Sequence, residues 1–194
     1  MTQSSTSGTR SWPDIIEQSQ ALGQLLAGRN LRVSTAESCT GGLVAAAITE
    51  IAGSSAWFKQ SVVTYSNEAK QILLAVDPAT LSTHGAVSEA CVRAMALGCL
   101  HKMGSDIAIS ISGIAGPGGA TEGKPVGTVW IGWAMKSPSD GQLHGDDTVI
   151  SNAVEADAMR FQFDGERSAV RLQAVFEALR GSISRIEHAG LSES

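Results

Sequence analysis

Residues 31–51 read LRVSTAESCTGGLVAAAITEI, and their reading decides the fold. Leu31 to Ala36 predicts a short strand. Glu37-Ser38-Cys39-Thr40-Gly41-Gly42 forms a sharp polar turn, and Leu43 to Ile51 predicts a helix closed by Gly53. A strand that passes through a tight turn into a helix implies a sheet covered by helices.

Outward from this unit the pattern continues. Pro13 suits a first helical position, and Ile15, Leu22, Leu25 and Leu26 make a helical stripe that ends at Gly28. Downstream, Ser61 to Tyr65 predicts a second strand and Glu68 to Ala75 a helix. Asp77-Pro78 opens a short helix, and Ser88 opens an amphipathic one that runs to Met103. Asp106 to Ser112 alternates as DIAISIS, a strand period. Strands over about Thr128 to Met135 and His144 to Ile150 are predicted to form a hairpin through Pro138 to Gly141. Asp164 is expected to cap a last helix whose inner face is Val170, Val175, Phe176 and Leu179. Alternating strands and helices followed by a hairpin predict a three-layer α/β/α sandwich around a mixed sheet. It is expected to be a single domain over residues 12–187, between polar tails at 1–11 and 188–194.

Composition narrows the function classes. The chain has 194 residues, 43% of them hydrophobic and 17% charged, an ordinary globular balance. A net charge of −5 argues against a general nucleic-acid surface, which needs a basic face. The polar start, Met1 to Ser11, lacks the apolar core of a signal peptide, and the run Leu43 to Ile48 is too short to cross a bilayer. The 3 cysteines include no CxxC pattern, which fits a reducing cytoplasm. Cys91 and Cys99 share a helical face with Met95 and read as core. The 4 histidines, at 84, 101, 144 and 188, show no metal-ligand spacing. His144-Gly145-Asp146-Asp147 reads as a polar strand edge. No metal and no cofactor are expected.

Four elements can carry chemistry. The turn at 37–42 points backbone N–H groups, such as those of Thr40, Gly41 and Gly42, toward one spot at a helix start. A hydroxyl at Ser38 can attack a carbonyl there while the amides hold the oxyanion. Read alone, the turn also suits a plain helix cap at Ser38 or Thr40. Cys39 competes as nucleophile, because a thiol near a helix start is activated. In VVTYSNEAK, residues 62–70, Tyr65 ends a strand and Lys70 lies in the first turn of the next helix. A desolvated lysine can lose its proton and act as a base, with the tyrosine as relay. The Tyr-to-Lys spacing is one longer than the YxxxK of short-chain dehydrogenases, and no glycine-rich dinucleotide turn follows the first strand. The loop GIAGPGGATEGKPVG, residues 113–127, includes Gly113 and Gly116 and lets backbone approach a ligand. It lacks the spacing of a nucleoside-triphosphate loop and holds Lys124 at its edge. Finally, Arg167 and Arg171 share a helical face and suit a phosphate, although a solvated face with Glu166 fits them equally.

Taken together, five blocks resemble the CinA C-terminal family, whose stand-alone members include nicotinamide-nucleotide amidases. They are AESCTGGLVAA at 36–46, VVTYSNEAK at 62–70, HGAVSEACVRAMALG at 84–98, SGIAGPGGATEGKPVGTVW at 112–130 and FDGERSAVRLQAVFEAL at 163–179. They occur in order over most of residues 30–180. The resemblance implies an α/β/α fold and hydrolysis of the amide of nicotinamide mononucleotide. It also implies Ser38 as nucleophile, Tyr65 and Lys70 as the proton-handling pair, and a homodimer. The family usually has threonine at the position of Ser112, a change that keeps the hydroxyl. The alternatives are a cysteine amidase using Cys39 and a nucleotide-binding module without turnover.

Overall fold

A computed structural model describes residues 10–136 and 154–189 of the chain. Helix α1 (Trp12–Gly28) begins with a capping box. The Ser11 hydroxyl accepts from the Asp14 N–H, and the Asp14 carboxylate accepts from the Ser11 N–H at 2.7 Å. The exchange satisfies two donors that a helix start otherwise leaves unpaired.

Five strands form one sheet: β1 (Val33–Glu37), β2 (Phe58–Val63), β3 (Ile107–Gly113), β4 (Thr128–Lys136) and β5 (Val154–Gln162). Their order is β2-β1-β3-β4-β5. β1 runs parallel to β2 and β3, whereas the β3–β4 and β4–β5 pairs are antiparallel. The remaining helices are α2 (Leu43–Thr49), α3 (Asn67–Leu74), α4 (Pro78–His84), α5 (Glu89–Met103) and α6 (Arg167–Ala189).

The period of two in DIAISIS separates the layers. Ile107, Ile109 and Ile111 join Ile15, Leu22, Ile48, Val170 and Leu179 in the core under α1, α2 and α6. Each fully buried isoleucine contributes on the order of 2 kcal/mol. The intervening Ala108 faces Leu74, Cys91, Met95 and Cys99 in a second core under α3, α4 and α5. Small residues on that face let α5 lie close. The Ser110 hydroxyl donates to the Val92 carbonyl at 2.6 Å, and a Cβ on Gly132 would sit 2.7 Å from the same oxygen. The three-layer α/β/α sandwich with a mixed sheet is therefore the observed fold.

Several boundaries differ from expectation. β2 begins at Phe58, upstream of Ser61, because Val33 takes up the Trp57 carbonyl and draws that segment into the sheet. Helix α6 starts at Arg167, not next to Asp164; Gly165, with φ +102°, interrupts the backbone between them. It continues to Ala189. The predicted strand at His144 to Ile150, its turn, and the His144 to Asp147 cluster lie outside the described residues. β5 was not expected from VEADAMRFQ. The strand borders the sheet, and most of its side chains are half-buried or exposed, so it lacks an apolar run.

Candidate active site

The carboxyl ends of β1, β2 and β3 lie side by side, and open α/β sheets place ligands at such an edge. A cavity of about 220 Å³ opens there, with Ser38, Cys39, Tyr65, Lys70, Gly113 and Arg167 in its wall. A larger cavity of about 650 Å³, lined by Trp133, Val154, Asp157 and Arg185, holds none of the expected site residues. The candidate nucleophiles Ser38 and Cys39 meet the Lys70 amine only at the smaller one.

Ser38 follows the last residue of β1, and its N–H donates to the Ile111 carbonyl at 3.0 Å, which ties the turn to β3. Lys70 comes from α3, whose cap is the Ser66 hydroxyl accepting from the Ala69 N–H. The Lys70 side chain enters the protein at 1% exposure. Its Nζ donates to the Thr64 carbonyl at 2.7 Å and lies 3.3 Å from Ser38 Oγ. Burial lowers the Lys70 pKa from its ordinary value, since an ammonium loses hydration there. As an ammonium the group donates to the Ser38 hydroxyl; as a neutral amine it can accept from it.

Cys39 also borders the cavity, but burial pushes its thiol up to about 12. Lys70 is near enough to act on it electrostatically, but among the described residues the Lys70 amine hydrogen-bonds to Ser38 and not to the thiol. The Cys39 side chain packs into the core beneath α1, α2 and α6.

Tyr65 is 62% exposed at the mouth, and its phenol oxygen accepts from Arg167 at 3.2 Å. Among the described residues no hydrogen bond joins it to Ser38 or Lys70. Arg167 also donates to the Gly116 carbonyl at 2.7 Å, bridging the glycine-rich loop and Tyr65. Arg171 lies behind the turn: it donates to the Thr40 carbonyl at 2.7 Å, and its Nε is buried without a hydrogen-bond partner among the described residues. Lys124 donates to the His84 carbonyl at 3.2 Å. Neither Arg171 nor Lys124 lines the cavity. The Gly41 N–H donates to the Ser38 carbonyl, and the Gly42 N–H to Glu37 at 2.9 Å. Both amides are thus bonded inside the turn. Among the described residues no group of three or more His, Cys, Asp or Glu side chains is placed to hold a metal ion.

The profile of the CinA C-terminal domain matches residues 16–186. The chain belongs to the CinA C-terminal domain family. It is 50% identical over 167 residues to a nicotinamide-nucleotide amidohydrolase PncC of Enterobacter agglomerans, covering 86% of this chain and 92% of that protein. The protein of the same name from Escherichia coli strain K12 is 48% identical, with the same coverage of both chains. A crystal structure of a competence-damaged protein (CinA) superfamily protein from Klebsiella pneumoniae aligns with a TM-score of 0.77 at 41% identity. It covers 90% of this chain and 98% of that one.

Within this CinA C-terminal domain, the cavity also takes Asn67, Ala86, Val87, Ser112 and Ala115. Sequence reasoning singled out none of them for a role at the site. The first three sit at the starts of α3 and α5, where short side chains look like ordinary caps and turns. Glu37 was passed over as well. Its signal was legible: an acid at the end of a buried strand, four residues before paired glycines.

Proposed function

We propose that this chain hydrolyses the carboxamide of nicotinamide mononucleotide, giving nicotinic acid mononucleotide and ammonia, with Ser38 as nucleophile and Lys70 as base. The observation that carries the reading is the buried Lys70 amine 3.3 Å from Ser38 Oγ, in a chain close to two nicotinamide-nucleotide amidohydrolases. Neutral Lys70 takes the Ser38 proton as Oγ bonds to the carboxamide carbon, and the carbonyl oxygen takes the negative charge. The intermediate collapses, its C–N bond breaks, and the nitrogen leaves as ammonia with the proton from Lys70. A water then gives its proton to the amine and attacks the ester. The C–O bond to Ser38 breaks, and Oγ recovers a proton. Tyr65 at the mouth relays protons between this pair and solvent.

The phosphate is proposed to meet Arg167, the guanidinium that borders the cavity. Arg171 and Lys124, with donors bonded to backbone carbonyls, support the turn and the loop edge beside it. The resemblance adds a homodimer and a cytoplasmic location to the proposal. Among the described residues no helix is long and apolar enough to cross a membrane.

Ammonia release from nicotinamide mononucleotide tests the reading. Ser38→Ala is expected to lower turnover by roughly three orders of magnitude or more with the fold retained. A wild-type protein that binds the mononucleotide without releasing ammonia would leave a binding module instead.

A further inference from the structure

Glu37 ends β1 with a fully buried side chain, directly before Ser38. Its two carboxylate oxygens accept three backbone N–H groups from the far side of the turn. Oε2 accepts from Gly42 at 2.9 Å and Val44 at 3.1 Å, and Oε1 from Ala45 at 3.0 Å. The Thr35 hydroxyl reaches Oε1 at 3.4 Å. The carboxylate therefore caps α2 from inside and ties residue 37 to residues 42–45 across the turn that carries Ser38. A carboxylate can accept at about four lone-pair positions, so the side chain is close to saturated.

This accounting decides which amides remain for chemistry. The N–H groups of Gly42, Val44 and Ala45 go to Glu37, and that of Ser38 to Ile111. Gly41 donates back to the Ser38 carbonyl and Leu43 to that of Thr40. In the glycine-rich loop, the Ile114 N–H goes to the Thr128 carbonyl. Among the described residues the N–H groups of Cys39, Thr40 and Ala115 bond to no other residue, the Cys39 N–H facing only its own sulfur, and of the three only Cys39 and Ala115 line the cavity. One follows the nucleophile and the other comes from a second loop, an arrangement that can cradle an oxyanion.

We infer that Glu37 is a positioning residue. By taking the amides of Gly42, Val44 and Ala45 it holds the turn in the shape that leaves the Cys39 N–H, together with that of Ala115, for the oxyanion formed on Ser38 attack. The inference rests on the proposed Ser38 chemistry. Glu37 touches neither substrate nor nucleophile; it acts through the backbone. Glu37→Gln keeps the shape of the side chain but turns an NH2 toward backbone N–H groups that need acceptors, so the turn must rearrange.

The test uses nicotinamide mononucleotide and its thioamide analogue. A hydrogen-bonding cradle built for oxygen stabilises a developing O⁻ more than a larger, weakly accepting S⁻. Glu37→Gln is expected to lower kcat on the oxo substrate by roughly 10²–10³-fold, the loss typical of an oxyanion donor, with KM within a few-fold. The ratio of oxo to thio turnover is expected to fall at least about tenfold in the same variant. A purely structural role, which reduces the fraction of active molecules, lowers both rates equally and leaves the ratio unchanged. Where Glu37→Gln fails to fold, Glu37→Asp keeps the charge at a shorter reach, and a fall in the same ratio is expected, smaller in size. A wild-type ratio in a folded Glu37 variant, with Ser38→Ala inactive, overturns the inference and leaves the nucleophile standing. Turnover by Ser38→Ala overturns the nucleophile, and with it this role for Glu37.

Discussion

Lys70 brings an amine into a site with 1% exposure, where the neutral form is favoured. Its folded pKa lies below the ordinary 10.5, so between the two values the unfolded chain holds a proton that the folded one lacks. Stability from this group therefore rises with pH through that window and is at its worst below the folded pKa. Activity should follow the same titration. The kcat/KM of the proposed hydrolysis is expected to climb with pH along a limb whose midpoint lies below 10.5. Lys70→Met should abolish that limb and lower turnover by about 10²–10⁴-fold, the usual worth of a general base. A limb that persists in the variant would assign the proton to another group. In chemical melts, the stability of Lys70→Met relative to wild type should decline as pH rises toward 10.5, because only wild type gains from deprotonation. The neighbouring Cys39→Ala keeps the backbone N–H and is expected to hold turnover within a few-fold; collapse would move the nucleophile to the thiol.

At the scale of elements, the approach of α5 to the sheet depends on residues without side chains at the contact. A Cβ at Gly132 would lie 2.7 Å from the Val92 carbonyl and from Ser110 Oγ. The carbonyl belongs to the helix backbone, so relief requires α5 to move away from β3 and β4. Overpacking of this kind costs about 1–3 kcal/mol. Gly132→Ala is expected to lower the melting temperature by several degrees, read by thermal circular dichroism, and an unchanged Tm would show that α5 slides freely. The stretch from β1 to α2 follows a related logic. Both glycines of its turn have positive φ, +62° at Gly41 and +94° at Gly42, which side chains rarely adopt. The glycine pair and the buried carboxylate together close a turn too tight for other residues.

At the scale of the molecule, an acidic chain of net charge −5 is proposed to hold an anionic nucleotide through a local cation. Arg167 stands where α6 reaches the cavity, joined to Tyr65 and Gly116. A lost charge-assisted contact costs about 1.5–3 kcal/mol, roughly one to two powers of ten in kcat/KM. Nicotinamide riboside should therefore be much poorer than the mononucleotide in wild type. Arg167→Ala should narrow the gap by slowing the mononucleotide; a wild-type preference in that variant would place the phosphate elsewhere. Because Lys70 supplies the base in the proposed scheme, dialysis against a strong chelator is expected to leave the rate unchanged. Activity lost and restored by a divalent ion would sink the scheme. Sedimentation is expected to show a species of twice 20.1 kDa, as a homodimer requires.

The sequence by itself determined the layers, because period and punctuation are local. DIAISIS sorts its own side chains to two faces, Asp77 and Ser88 cap their helices, and TAESCTGG joins a strand to a helix. It also placed Ser38 in the turn after one strand and Lys70 in the first turn of the helix after another, and parallel neighbours in a shared sheet bring two such positions to one edge. What sequence could not supply was which donor meets which acceptor, since those pairs are far apart in the chain. Thirty-two residues separate Ser38 from Lys70, and the 3.3 Å between their polar atoms exists only because β1 and β2 are parallel neighbours. The same holds for Arg171, which shares a helical face with Arg167 but reaches the Thr40 carbonyl 131 residues away. The strand VEADAMRFQ was invisible because pairing with β4, rather than its own apolar pattern, makes it a strand. Only the tertiary structure decided that the amides of Gly41 and Gly42 are spent within the turn. A buried backbone donor bonds to the nearest acceptor, and here the fold had already placed Glu37 and Ser38 there.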